Sequence, residues 1–152
     1  MCSPSCKRFV RENLAASDVA GKKVLEVGSR AVGGPASTVR PDVEALAPLS
    51  YLGVDIISGQ HVDEVCNASD LRERYGDDAF DVVISTEMLE HARDWRSAIR
   101  NLKNVVRPGG VLVLTTRSFG FPFHAWPHDY WRYEPDDMRQ IFDEVVRDLV
   151  EL

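Results

Sequence analysis

Five short apolar runs punctuate this chain, with amphipathic stretches between them. Lys23–Val27, Tyr51–Val54, Val62–Val65, Phe80–Ser85 and Val111–Thr115 each read as a strand. Phe80-Asp81-Val82-Val83-Ile84-Ser85 is almost wholly apolar, as expected of a strand covered on both sheet faces. Trp95–Val106 instead repeats at helical spacing, with Ile99, Leu102, Val105 and Val106 on one side. Arg107-Pro108-Gly109-Gly110 then predicts a helix stop and a turn. An N-terminal helix is expected within residues 5–17, with Phe9, Val10 and Leu14 near one face, packing on or covering a cleft. Ala36–Ala47 is periodic but contains Pro41, so a short or broken helix is expected. Asp70–Tyr75 and the segment after Pro135 complete the helices, while Val145–Leu149 reads as a sixth strand or the tail of the last helix.

Strands alternating with helices imply right-handed crossovers and a doubly wound, mostly parallel α/β sheet of about six strands, with helices on both faces. At 152 residues one domain, 1–152, with one core is expected. The composition is that of a soluble globular protein, with 44% hydrophobic and 28% charged residues. A formal net charge of −6 argues against duplex nucleic acid as a partner. No run approaches a membrane span and no secretory signal is apparent, so a cytoplasmic location is expected. Three cysteines are too few for a disulfide framework, and Cys2 and Cys6 have no nearby ligand pair for zinc.

The first strand ends in Glu26-Val27-Gly28-Ser29-Arg30, and Gly33-Gly34 follow Gly28 after four intervening residues. A dinucleotide site needs G-x-G-x-x-G opening onto a helix N-terminus, and a nucleoside triphosphate site needs a G-x-x-x-x-G-K-[ST] loop. Neither spacing occurs. The turn therefore lets backbone approach a ligand without being built around phosphate. Glu26 adds a carboxylate suited to a cationic, phosphate-free cofactor such as S-adenosylmethionine. Asp55, closing the second strand, can accept both hydroxyl protons of a ribose. Glu26 and Asp55 are expected to clasp opposite ends of one donor molecule.

On these residues the chain resembles the class I S-adenosylmethionine-dependent methyltransferases, in a branch carrying a Gly-Ser-Arg turn and a later His-Asp-Tyr-Trp-Arg-Tyr segment. The resemblance runs from about Lys22 to about Phe142. It implies a seven-stranded sheet with its last strand antiparallel, and this chain reads as one strand short. It implies that Glu26, Gly28, Ser29 and Arg30 surround the methionine half of the cofactor, and that Asp55 and Ile56 hold ribose and adenine. It places Asn67 and Ala68 at the adenine edge and Thr86, Glu87 and Met88 below the sulfonium. Asn67 stands where the family often has Asp, and Asp70 is an alternative contact.

Two clusters could carry chemistry. Glu87-Met88-Leu89-Glu90-His91 follows the fourth strand, where Glu90 and His91 read as an acid/base pair or as the cofactor floor. Residues 117–133 form an acceptor-side loop rich in rings, with His124, His128, Tyr130 and Arg132 as acceptor contacts. Should the acceptor be a hydroxyl, His124 or His128 is the first choice of base and His91 a weaker one. Arg132 pairs either with an acidic acceptor or with Asp129 or Glu134. No metal is expected: His124-x3-His128 spans Pro127 and lacks a third ligand at helical spacing. The expected function is methyl transfer to a small-molecule acceptor. A non-catalytic S-adenosylmethionine-binding module and a nicotinamide-dependent oxidoreductase are the alternatives. An open sheet edge would favour a homodimer.

Overall fold

The computed structural model describes residues 2–124 and 127–144. Strands β1 (Lys23–Val27), β2 (Ser50–Asp55), β3 (Glu64–Val65), β4 (Phe80–Thr86) and β5 (Val106–Thr115) form one sheet in the order β3-β2-β1-β4-β5. Every pairing is parallel. The order reverses at β1, which opens a crevice beyond the carboxyl ends of β1, β2 and β4. Val145–Leu149, the sixth strand candidate, lies outside the described residues.

Side chains alternate across the sheet and build two cores. Val24, Val82, Ile84 and Val113 pack with Cys6, Val10, Leu14, Val19, Val39 and Val43, from helices α1 (Pro4–Asn13), α2 (Ala16–Val19) and α3 (Arg40–Glu44) and their flanks. Leu25, Val27 and Val83 face the other way, onto α4 (Leu71–Tyr75), α5 (Trp95–Val105) and α6 (Pro135–Glu144). Leu102 on α5 is wholly buried in that second core. Leu102→Ala is expected to cost about 2–5 kcal/mol, read as a fall in the urea midpoint. An unchanged midpoint would show that α5 does not pack as described.

Three local expectations are corrected. The N-terminal helix breaks at extended Leu14, and the Asp18 carboxylate accepts Ala15 N–H at 2.9 Å to start α2. Phe9, grouped with Val10 and Leu14 from the sequence, is 45% exposed. Arg107–Gly110 does not separate α5 from β5 but forms an excursion inside β5, between the pairs Phe80↔Val106 and Val82↔Val111. Gly110 is required there, since a Cβ would lie 2.6 Å from the Asp81 carbonyl oxygen. Pro41 falls in the first turn of α3, where its missing N–H costs no intrahelical bond.

Candidate active site

The glycine turn after β1 is bonded to β2, because Gly28 and Ser29 N–H both donate to the Val54 carbonyl at 2.8 and 3.1 Å. Gly28 has φ +83°, and a Cβ there would sit 2.8 Å from Met88 Cβ. Only glycine fits, because both the backbone conformation and the space exclude a side chain. Two cavities, of about 360 and 390 Å³, meet across Gly28, Asp55, Ile56, Met88, His91 and Pro127. The first extends over Asn67 and Ala68 to His128 and Tyr130. The second runs past Arg30 to Glu87 and His124. Together they form an elongated cleft above the sheet's reversal point.

Asp55 stands at the junction of the two cavities. Its Oδ2 accepts Arg30 N–H at 3.2 Å and its Oδ1 accepts Ile57 N–H at 3.1 Å. A carboxylate has about four lone-pair positions, so acceptor capacity remains on both oxygens. Asn67 Oδ1 accepts Ser69 N–H at 3.0 Å and caps the short turn Ala68–Asp70. Asp70 does not line either cavity.

Glu26 departs from expectation. It is wholly buried and lines neither cavity, so the direct clasp opposite Asp55 is not what the structure builds. The period of two along β1 sends Val27 to the cleft side and Glu26 to the side of Val24. There its Oε2 accepts the Tyr51 hydroxyl at 2.7 Å, while Oε1 has no partner. Burial pushes the Glu26 carboxyl up to about 7, against the lowering effects of Tyr51 and Arg40. Ser29 is likewise buried behind the turn, with its hydroxyl unpartnered. Thr86 is buried and lines neither cavity.

Glu87 follows β4 at φ +51° and is held from three directions. Ser3 N–H and Ser3 hydroxyl donate to its two oxygens at 3.1 and 2.9 Å, and Arg117 Nη2 lies 2.5 Å from Oε2. Ser3, just before α1, thus ties the N-terminal segment to a residue lining the second cavity. Neither Ser3 nor Arg117 carried a sequence signal, because each contact joins segments distant in the chain.

The loop over the cleft is fastened to the turn Leu89–His91. Tyr130 and Trp131 N–H donate to the Glu90 carbonyl at 2.9 and 3.3 Å, and Trp131 Nε1–H donates to the Ala92 carbonyl at 3.0 Å. Asp129 folds the loop on itself, accepting His124 N–H at 2.8 Å and both outer guanidinium nitrogens of Arg132. The Arg132 guanidinium holds the Asp129 carboxyl well below the usual carboxylate range. Arg132 is therefore a clamp and lines neither cavity, in line with the Asp129 pairing rather than an acceptor contact. His124 and His128 do not converge. His128 lines the first cavity and passes its carbonyl to His91 Nδ1 at 2.5 Å, whereas His124 lines the second.

Behind His124 lies the carboxylate of Glu90, wholly buried. Its Oε2 accepts the Thr116 hydroxyl at 2.9 Å. Its Oε1 stands 3.7 Å from His124 Nε2 and 4.0 Å from His91 Nε2, with no hydrogen-bond partner. The sequence pairs Glu90 with His91, and the fold adds His124 to them.

The family model described as a methyltransferase domain matches residues 4–145. The chain belongs to this methyltransferase domain family. A ubiquinone biosynthesis O-methyltransferase from Pseudomonas syringae pv. tomato is 37% identical over 108 residues, covering 66% of this chain and 46% of that protein. Its counterpart from Haemophilus ducreyi is 33% identical over 126 residues, covering 72% of this chain and 51% of that protein. The chain thus spans about half the length of these curated relatives. Among solved structures, a SAM-dependent methyltransferase from Archaeoglobus fulgidus superposes with a TM-score of 0.69 at 15% identity, over 91% of this chain and 66% of that one. The [4+2]-cyclase SpnF superposes with a TM-score of 0.65 at 22% identity, over 92% of this chain and 57% of that one. The methyltransferase domain fold is therefore established, with its sheet and cleft as described.

Proposed function

We propose that this methyltransferase domain binds S-adenosylmethionine along the paired cavities and transfers its methyl group to a hydroxyl of a small-molecule acceptor. The junction at Gly28, Asp55 and Met88 carries this reading, because it joins the two cavities at one strand-end carboxylate. The residues present fit the cofactor. Asp55 retains lone pairs for a ribose diol, Ile56 and Ala68 offer apolar surface for a base, and the bare backbone of Gly28 admits close approach.

The cofactor's sulfonium supplies an electrophilic methyl carbon. The chain's residues bind, align and dry the site. Alignment alone can supply roughly 7–11 kcal/mol. The loop carrying His124, His128 and Tyr130 screens the cleft, and a hydroxyl proton leaves toward the wall of Glu90, His91 and His124. Relatives named as O-methyltransferases support an oxygen acceptor. The net charge of −6 supports a small molecule over duplex nucleic acid. Production of S-adenosylhomocysteine from S-adenosylmethionine with a panel of phenols and alcohols tests the activity. Binding without product from any acceptor would instead support a non-catalytic module. Preference for NADH in a titration would support an oxidoreductase.

The likeness to a cyclase motivates a second reading, in which the same fold serves chemistry without net methyl transfer. Intact S-adenosylmethionine after turnover of an acceptor would favour it. Among the described residues β5 leaves one edge unpaired, which supports a homodimer. A solution mass equal to the monomer at every concentration tested would remove the dimer.

A further inference from the structure

We propose that Cys2 and Cys6 form a redox-active dithiol that hydrogen peroxide closes to a disulfide, and that closure loosens the hold of Ser3 on Glu87 at the second cavity. The thiol chemistry stands on the geometry of the pair, and its effect on the cleft rests on the cofactor reading proposed above.

Cys2-Ser3-Pro4-Ser5-Cys6 places two cysteines four residues apart across the start of α1. Ser3 caps the helix, its hydroxyl accepting Cys6 N–H at 3.3 Å, and Cys2 N–H donates to the Ser37 carbonyl at 2.9 Å. Both side chains enter the same apolar core, with Val10, Val82 and Val113. There the Cys2 thiol hydrogen-bonds the Cys6 sulfur, and Cys6 Sγ lies 3.3 Å from the Thr115 hydroxyl oxygen. The bond from Cys2 holds the Cys6 thiol below its ordinary range, against burial and with help from Thr115. The same bond, together with burial, pushes the Cys2 thiol up. Cys6 also sits in the first turn of a helix of 10 residues, where unpaired N–H groups favour a thiolate. One sulfur is thus built as the nucleophile and its neighbour as the resolving thiol. Cys66 makes the contrast, since it is half-buried and burial pushes its thiol up.

Burial also selects the oxidant. Cys2 is 9% and Cys6 5% exposed, so a bulky disulfide has no approach, whereas hydrogen peroxide is little larger than water. The Cys6 sulfur attacks one peroxide oxygen and the O–O bond breaks. Cys6 becomes a sulfenic acid, and the other oxygen leaves as water with the thiol proton. The Cys2 sulfur then attacks the sulfenic sulfur. An S–S bond forms, the S–O bond breaks, and the hydroxyl takes the Cys2 proton to leave as a second water. Two thiols are oxidised by two electrons and one peroxide is reduced.

Ser3 lies inside the ring so closed. Its N–H and its hydroxyl donate to Glu87 at 3.1 and 2.9 Å, and Glu87 lines the second cavity. Drawing the two sulfurs to bonding distance shifts the backbone between them and pulls Ser3 from Glu87, which keeps Arg117.

The test treats the full reduced chain with hydrogen peroxide, then alkylates and digests it with trypsin. The peptide ending at Lys7 carries both cysteines. It should emerge lighter by two hydrogens and without alkylation, and should carry two alkyl groups when dithiothreitol precedes alkylation. Cys66 should be alkylated throughout. In Cys2→Ser the Cys6 sulfenic acid should accumulate and be trapped by dimedone, and in Cys6→Ser the remaining Cys2 should stay alkylatable. Oxidation should weaken S-adenosylhomocysteine binding roughly 10-fold through the two lost hydrogen bonds to Glu87, reversibly with dithiothreitol. A pair that stays reduced while Cys66 oxidises, or a Cys6 driven to sulfinic acid beside a free Cys2, would overturn the dithiol. A disulfide that leaves affinity unchanged would overturn the link to Glu87. A reduced protein that binds no S-adenosylhomocysteine would instead sink the cofactor reading, with the peptide mass still judging the thiols.

Discussion

Alanine at position 55 is expected to weaken S-adenosylhomocysteine binding by about 3 kcal/mol, on the order of 100-fold, from the loss of two charge-assisted hydrogen bonds. Among the described residues Asp55 is the single carboxylate that lines both cavities beside Gly28. Its oxygens also fix Arg30 and Ile57 N–H, so truncation frees the loop ends as well. Asp55→Asn separates these contributions. One amide oxygen can keep a backbone bond, but the charge and the paired acceptor geometry are gone. Titration calorimetry should therefore rank the parent above Asp55→Asn, and Asp55→Asn above Asp55→Ala. Equal affinities for all three would mean that the ribose does not sit at this strand end.

Glu26→Gln is expected to raise stability by about 3 kcal/mol at pH 8 and to change it little at pH 4. The Glu26 carboxyl is raised by burial from its ordinary 4.5 to about 7. The folded state then holds a proton that the unfolded state has released between those values. Stability linked to Glu26 is thus fully present below about 4.5 and lost as pH rises toward about 7. A neutral amide removes the charge that burial penalises and can still accept the Tyr51 hydroxyl. Urea midpoints measured across pH read the effect. A variant less stable than the parent at pH 8 would show that Glu26 is satisfied as a charge.

The strands were legible because a strand buried on both faces reads as a continuous apolar run, as at Phe80–Ser85. The glycine turn and Asp55 were legible for a related reason: each is a local solution to a local constraint. Positive φ at Gly28 demands glycine, and a carboxylate at a strand end is visible within five residues of sequence. Glu26 is harder to read because its direction depends on the pleat. One residue of phase decides whether it faces the cleft or the layer of α1 and α3.

The loop was legible in composition but not in geometry. His124 and His128 share helical spacing, yet the described backbone of 121–124 and 127–133 is irregular and the two line different cavities. Arg132 and Asp129 have to clamp before His124 can face Glu90. That sets a contact 34 positions apart (124 − 90) which no periodicity announces. Phe9 shows the same limit on a helix, since an apolar residue near the buried stripe still ends up 45% exposed.

A crystal structure grown with S-adenosylhomocysteine tests the central claim most directly. The ribose hydroxyls should lie on the Asp55 carboxylate, the base against Ile56 and Ala68, and the sulfur beside Met88 with its open side toward His124. A ligand lodged away from the Gly28 turn, or turned so that its sulfur points away from the second cavity, would contradict it.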